Sequence, residues 1–203
     1  MSVAPRRIRW TKRTIDLVLS GLLLPLVIPI LLLCALAIWI ESPGRVVFTQ
    51  LRTGLHGNRF RMLKFRTMVP NAEELKASLQ HLNILAPPDF KIIDDPRITR
   101  VGKFLRKTSL DELPQLLNVI RGDMSLVGPR PTSFAASTYD LWHTERLEVR
   151  PGITGLWQVK GRNCMSFDER LRLDISYVRN LSLGLDLKIL TLTVVAVFSR
   201  SGA

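Results

Sequence analysis

Cysteine is almost absent: Cys34 and Cys164 are the two in 203 residues. Two cysteines cannot build a disulfide framework or a zinc-ligand set, which fits a reducing compartment for the bulk of the chain. Histidine is nearly as scarce. His56, His81 and His143 stand alone, and each is expected at a surface or packing position rather than on a metal. No P-loop or dinucleotide-binding glycine fingerprint occurs, so any phosphate binding must rest on arginines and helix ends. There is no internal repeat and no low-complexity segment. Acidic residues number 17 against 29 Lys and Arg, a net charge of +12. Such an excess calls for an anionic partner: membrane lipid, a phosphorylated substrate or nucleic acid. No RNA- or DNA-binding signature supports the last.

Charge of either sign is missing from Leu17 to Ile40. That run is about 24 residues, roughly 36 Å as a helix, which is enough to cross a bilayer core. It is too long for the apolar part of a cleaved signal peptide, and no small-residue cleavage site follows it cleanly. Pro25 and Pro29 lie near its middle, where proline kinks or breaks a helix. Arg6, Arg7, Arg9, Lys12 and Arg13 precede the run. Arg45, Arg52, Arg59, Arg61, Lys64 and Arg66 follow it. The positive-inside rule places both flanks on the cytoplasmic side, which a simple span cannot do. A helix that enters, breaks at a proline and returns satisfies both flanks, and this re-entrant form is favoured over a span. Asp16 sits near the entrance, placed to pair with Arg13 or simply to mark the interface.

Beyond Glu41, Val46 to Phe48 and Arg59 to Phe65 are rich in β-favouring residues around the Gly54 and Gly57 turns, which predicts a hairpin. Strand alternation would put Lys64 and Arg66 on one face; a solvated basic face is the plain alternative. Asn71 to Asn83 reads as a helix capped by Asn71. Asp94-Asp95, ahead of Pro96, is expected as a turn rather than a metal pair. Ile98 to Lys107 reads as a basic amphipathic helix, with Ile98, Val101, Phe104 and Leu105 on its apolar face. Leu156 to Val159 is a candidate short strand. Ser166 to Asn180 reads as an amphipathic helix. Leu183 to Phe198 is apolar but carries Asp186 and Lys188, so its charge-free part is too short to span.

The chemistry concentrates in Thr108 to Pro131, TSLDELPQLLNVIRGDMSLVGPRP. Asp111 and Glu112 are adjacent at the start of an apolar helical run. Ser109 and Glu112 have capping-box spacing, or Asp111 is itself the cap ahead of Pro114. On either register both carboxylates sit at a positive helix end. An ordinary cap with an acidic first turn is an equal alternative to a phosphate-ester and metal site. Gly128, Pro129 and Pro131 make a rigid turn that aims Arg130. A second Gly-rich passage, RPGITGLWQVKGRN, presents Arg162.

These blocks, with KFRTM around Lys64 and Arg66, resemble the bacterial sugar transferase family, the monotopic phosphoglycosyl transferases, in their order and spacing across nearly the whole chain. The resemblance implies an α+β, mostly α, monotopic membrane protein. Residues 1–42 would form a basic segment and a re-entrant helix broken at Pro25 or Pro29. Residues 43–203 would form a catalytic domain on the cytoplasmic face, with interfacial helices and a small β-hairpin. It implies transfer of a sugar 1-phosphate from a UDP-sugar to polyprenyl phosphate in the bacterial inner membrane, the first membrane step of glycan assembly. The stretch from Asn71 to Pro96 is similar to that of exopolysaccharide hexose-1-phosphate transferases, so UDP-glucose or UDP-galactose is expected.

By the same motifs Asp111 would be the nucleophile and Glu112 its partner, the two holding Mg²⁺. Lys64, Arg66, Arg106, Arg130, Arg162 and Asp186 would serve the substrates. The expected partners are UDP-sugar, polyprenyl phosphate and anionic lipid, with a homodimer reasonable and no nucleic acid. Family members commonly have Ser-Pro at the helix break, whereas this chain has Ile28-Pro29. The chain is expected to match the short catalytic core, without the extra N-terminal transmembrane helices of larger relatives. The rival from another class is a non-catalytic, membrane-anchored module that binds polyanions.

Overall fold

The computed structural model describes residues 6–84, 90–160 and 165–198. Helix α1 (Arg6–Glu41) is 36 residues long and carries Pro25 and Pro29 inside it. The expected two helices with a break between them are therefore not separate elements; the helix is continuous through both prolines. Each proline removes one backbone donor and crowds the preceding turn, which bends a helix without necessarily ending it. The helix is long and apolar enough to cross a membrane. Leu22, Leu26, Leu32, Leu33, Leu36 and Ile40 are exposed along it.

Both ends of α1 are fastened to the same body. Near its start Lys12 pairs with Asp186 at 2.6 Å. The Asp16 carboxylate accepts the Leu126 N–H, and Arg13 donates to the carbonyls of Val119 and Ile120. The expected Asp16–Arg13 pair does not form, because the open carbonyls at the end of a neighbouring helix attract the guanidinium. At its far end the Glu41 carboxylate accepts the N–H groups of Arg100 and Val101 at 2.8 and 2.9 Å. Between these ends Cys34 and Ile38 are buried against Phe65 and Leu105.

The predicted hairpin is present. Strands β1 (Val47–Thr53) and β2 (Arg59–Phe65) pair antiparallel, from Val47 opposite Phe65 to Thr53 opposite Arg59. Residues 71–83 are not the expected α-helix. They form turns and two short 3₁₀ segments, Glu74–Lys76 and Gln80–Leu82, with no buried side chain in either. A helix of this length needs an apolar face docked on the body, and this stretch has none. Asp94-Asp95 forms the expected turn, with Asp95 holding Arg97 at 2.7 Å.

Helix α2 (Arg100–Thr108) is capped by Thr99 and also by Glu41. Leu105 is buried, but Phe104 is 59% exposed and does not share the buried face as expected. Gly102 lies under the Thr67 carbonyl, where an added Cβ would come within 2.1 Å. Helix α3 (Gln115–Arg121) ends at Gly122, whose φ of 95° suits glycine.

A small parallel pair was not legible from the sequence. Strand β3 (Ser125–Val127) lies beside β4 (Gly152–Thr154). Leu156 to Val159, expected as a strand, lies in helix α4 (Leu156–Lys160), and the strand is the three residues before Gly155. Helix α5 (Phe167–Arg179) follows the Ser166–Glu169 capping box. Helix α6 (Leu183–Phe198) packs Ile189 into the core while Leu187, Val194 and Val195 stay exposed. The core joins Val119, Met124, Val127, Tyr177, Val178 and Ile189, all nearly inaccessible. Burying a side chain of this size stabilises by about 1.5–3 kcal/mol.

Candidate active site

The site begins where α2 stops. Ser109 takes a left-handed conformation, φ 57°, and closes α2 with its N–H on the Arg106 carbonyl. The chain then turns through a 3₁₀ segment, Leu110–Glu112, before α3 starts after Pro114. No side chain caps α3. Neither predicted capping register is realised, because the left-handed Ser109 places the acids in a separate turn ahead of the helix. Successive residues of a 3₁₀ turn point about 120° apart, so the two carboxylates diverge.

Glu112 faces cations. Lys64 Nζ donates to it at 3.0 Å, and Arg130 grips it through both Nη groups. Burial would raise its carboxyl, but the Arg130 and Lys64 charges outweigh burial and hold it well below the usual carboxylate range. Asp111 differs. It is 9% exposed, and no group among the described residues donates a hydrogen bond to its carboxylate. Burial pushes its pKa up, with Glu112 adding to the rise; Lys64, Arg106 and Arg130 oppose it. A buried carboxylate without hydrogen bonds, surrounded by positive charge, is available to a reacting atom.

The cations are placed by their own contacts. Arg106 Nε donates to Thr67 Oγ1 at 2.9 Å. Arg66 donates to the Ser42 carbonyl just past α1. The Arg130 backbone is clamped: Gly128 N–H bonds the Thr154 carbonyl, Gly152 N–H bonds the Pro129 carbonyl, and Arg146 donates to the Arg130 carbonyl. Gly128 and Gly152 approach too closely for either to carry a Cβ.

Sequence reading missed three contributors. Arg52 lines the same cleft, and burial together with Arg130 and Arg59 pushes its pKa down to about 10. Its alternation with Phe48 and Gln50 along β1 was the available signal. Asn118, fully buried, accepts the Leu63 N–H and donates to the Arg61 carbonyl, which fixes β2 and hence Lys64. Arg146, also buried, pairs with Asp174 at 2.6 Å.

Asp111, Glu112, Lys64, Arg66, Arg106 and Arg130 thus meet around one cleft of about 960 Å³. That is ample for a nucleotide-sized ligand. The cleft is also lined by Leu23 and Val27 of α1, Trp157, and Leu190 and Val197 of α6. Asp186 is not brought there; it accepts from Lys12 and from the Tyr177 hydroxyl at 2.7 Å. Arg162 lies outside the described residues. Pro25 and Pro29 flank Val27 in α1. Among the described residues no cluster of three metal-ligating side chains occurs.

The family model described as bacterial sugar transferase matches residues 7–200. The chain belongs to the bacterial sugar transferase family. It is 43% identical to the undecaprenyl-phosphate galactose phosphotransferase of Salmonella typhimurium over 210 residues, all of this chain and 43% of that protein. It is 42% identical to the exopolysaccharide production protein ExoY of Rhizobium meliloti, across 95% of this chain and 87% of that one. The UDP-glucose:undecaprenyl-phosphate glucose-1-phosphate transferase of Caulobacter vibrioides is 42% identical across 95% of this chain and 71% of its own. The chain thus spans less than half of some curated relatives it matches and most of others.

Proposed function

We propose that the chain transfers a sugar 1-phosphate from a UDP-sugar, UDP-glucose or UDP-galactose, to polyprenyl (undecaprenyl) phosphate and releases UMP. The observation that carries this reading is Asp111: buried, without a hydrogen bond to its carboxylate from the described residues, ringed by cations, and in one cleft with apolar residues of α1 and α6. A donor of nucleotide type needs the cations, and a lipid acceptor needs the apolar wall. The relatives' names supply the two substrates and the exopolysaccharide setting.

The chemistry follows from the chain's own groups. An Asp111 carboxylate oxygen attacks the phosphorus that bears the sugar. The bond from that phosphorus to the bridging oxygen breaks, and UMP leaves with the electron pair. A phosphate oxygen of the lipid then attacks the same phosphorus, and Asp111 departs as a carboxylate. Lys64, Arg106 and Arg130 hold the charge that spreads over the phosphoryl oxygens. Glu112, fixed by Lys64 and Arg130, keeps these cations in place between the two steps. Mg²⁺ ordinarily uses one or two carboxylates together with substrate phosphates; Asp111 would offer it a carboxylate, while Glu112 would do so only by exchanging its contacts with Lys64 and Arg130. Bound there, it would neutralise diphosphate charge.

The re-entrant disposition of α1 fits the same reading. Lys12, Arg13 and Asp16 at one end and Glu41 at the other all hold the one body. A helix crossing the bilayer would carry one of these polar sets to the far side. The reading therefore puts the catalytic domain on the cytoplasmic face of the inner membrane.

The test uses the full chain with undecaprenyl phosphate, a panel of UDP-sugars and UMP release as the readout. Asp111→Asn is expected to lose turnover by at least about 10³-fold and to form no phospho-sugar adduct by intact mass. Full activity in that variant would sink the covalent route.

A further inference from the structure

A second cavity of about 280 Å³ shares no lining residue with the acid-pair cleft. It lies at the first turns of α1, and Arg9, Trp10, Arg13 and Arg150 are among its walls. The cations there are only partly engaged. Arg13 is held by the Val119 and Ile120 carbonyls. Arg150 gives Nε to the Gly122 carbonyl at 2.8 Å, and its two Nη groups have no acceptor among the described residues. Arg9 has neither a hydrogen bond nor an ion pair with any described residue.

The nearby carboxylates do not balance this charge. Asp16 accepts the Leu126 N–H, and Asp186 is committed to Lys12 and Tyr177. Burial first, then the Arg13 charge and more weakly Arg9, push Arg150 below its ordinary value, while Asp16 acts the other way. Three guanidinium groups thus converge with a shortage of negative charge. Their position names the anion. They stand just ahead of the charge-free run that begins at Leu17, and Trp10 beside them is 63% exposed. Tryptophan and arginine in this order mark the headgroup level of a bilayer.

We propose that this cavity is a headgroup site for an anionic phospholipid, with Arg9, Arg13 and Arg150 holding its phosphodiester and Trp10 in the interface beside it. It is a site for a resident lipid, separate from the cleft that holds the reacting groups.

The test titrates the full chain in detergent with short-chain phosphatidylglycerol, with phosphatidylcholine and with inorganic phosphate, and reads bound adducts by native mass spectrometry. Phosphatidylglycerol is expected to bind at least about fivefold more tightly than phosphatidylcholine, and Arg9→Gln to weaken it about fivefold. Arg9 has no hydrogen bond or ion pair with a described residue to lose, so this variant remains informative even if Arg150→Gln, which frees the Gly122 carbonyl, fails to fold. Equal affinity for the two lipids, or an unchanged affinity in Arg9→Gln, overturns the proposal. Displacement of phosphatidylglycerol by equimolar inorganic phosphate overturns the lipid assignment in favour of a free-phosphate site.

Discussion

Lys12 Nζ stands 2.6 Å from Asp186 Oδ2, and this buried ion pair ties the start of α1 to α6 across 174 residues of sequence. The Tyr177 hydroxyl donates to the other oxygen of the same carboxylate. The family resemblance had assigned Asp186 to the substrates; its contacts make it a fastening for α1.

Removing one partner of such a pair strands the other in a low-dielectric place. Asp186→Leu alone is expected to destabilise by about 3–5 kcal/mol, whereas Lys12→Met with Asp186→Leu recovers most of the loss. Thermal unfolding in detergent measures both. Recovered UMP release in the double variant shows fastening; activity that stays lost in a stably folded double variant returns Asp186 to the substrate set.

The pH dependence of turnover follows from Asp111. Its pKa is raised, chiefly by burial, and the proposed attack needs the ionised form. Activity therefore rises with pH through the raised value and is lost below it. Glu112→Gln removes a like charge and moves this acid limb to lower pH, although it also strands Arg130 and Lys64 and lowers the maximum rate. Lys64→Met removes an opposite charge and moves the limb to higher pH. Rate–pH profiles of the three proteins decide it; limbs that coincide would separate the limb from Asp111.

Gly102→Ala is a contest of two effects. Alanine in a helix interior is ordinarily better than glycine by about 1 kcal/mol. Here its methyl would sit 2.1 Å from the Thr67 carbonyl oxygen. Overpacking of this kind costs about 1–3 kcal/mol, so net destabilisation is expected. Thr67 also holds Arg106, so kcat should fall as well. A melting temperature at or above wild type would reverse the prediction.

Arg146 acts through Arg130, whose backbone carbonyl it holds while pairing with Asp174. Arg146→Lys keeps the charge but loses the planar head whose Nη2 donates to both partners and whose Nη1 donates to the Tyr139 hydroxyl. A fall in kcat of about tenfold with little change in KM is expected for a positioning role. A rise in KM alone would place Arg146 in ground-state binding instead.

The sequence by itself determined the elements that depend on near neighbours. The charge-free run made α1, alternation around two glycines made the hairpin, and Ser166 with Glu169 began α5, because helix and strand periods and caps are set within a few residues. The motifs also named the cluster of Asp111, Glu112, Lys64, Arg66, Arg106 and Arg130. Tertiary structure decided what those residues touch. It gave Glu112 to Arg130 and Lys64, left the Asp111 carboxylate without a hydrogen bond from the described residues, and denied both acids the capping role their spacing allowed. It took Asp186 out of the cleft, left residues 71–83 without an α-helix for want of a docked face, and paired β3 with β4, three residues each and too short to show a pattern. Apart from the local turn at Ser109, the ion pairs behind these outcomes join residues from 18 apart (Glu112–Arg130) to 174 apart (Lys12–Asp186), where charge and burial are settled by packing rather than by spacing along the chain.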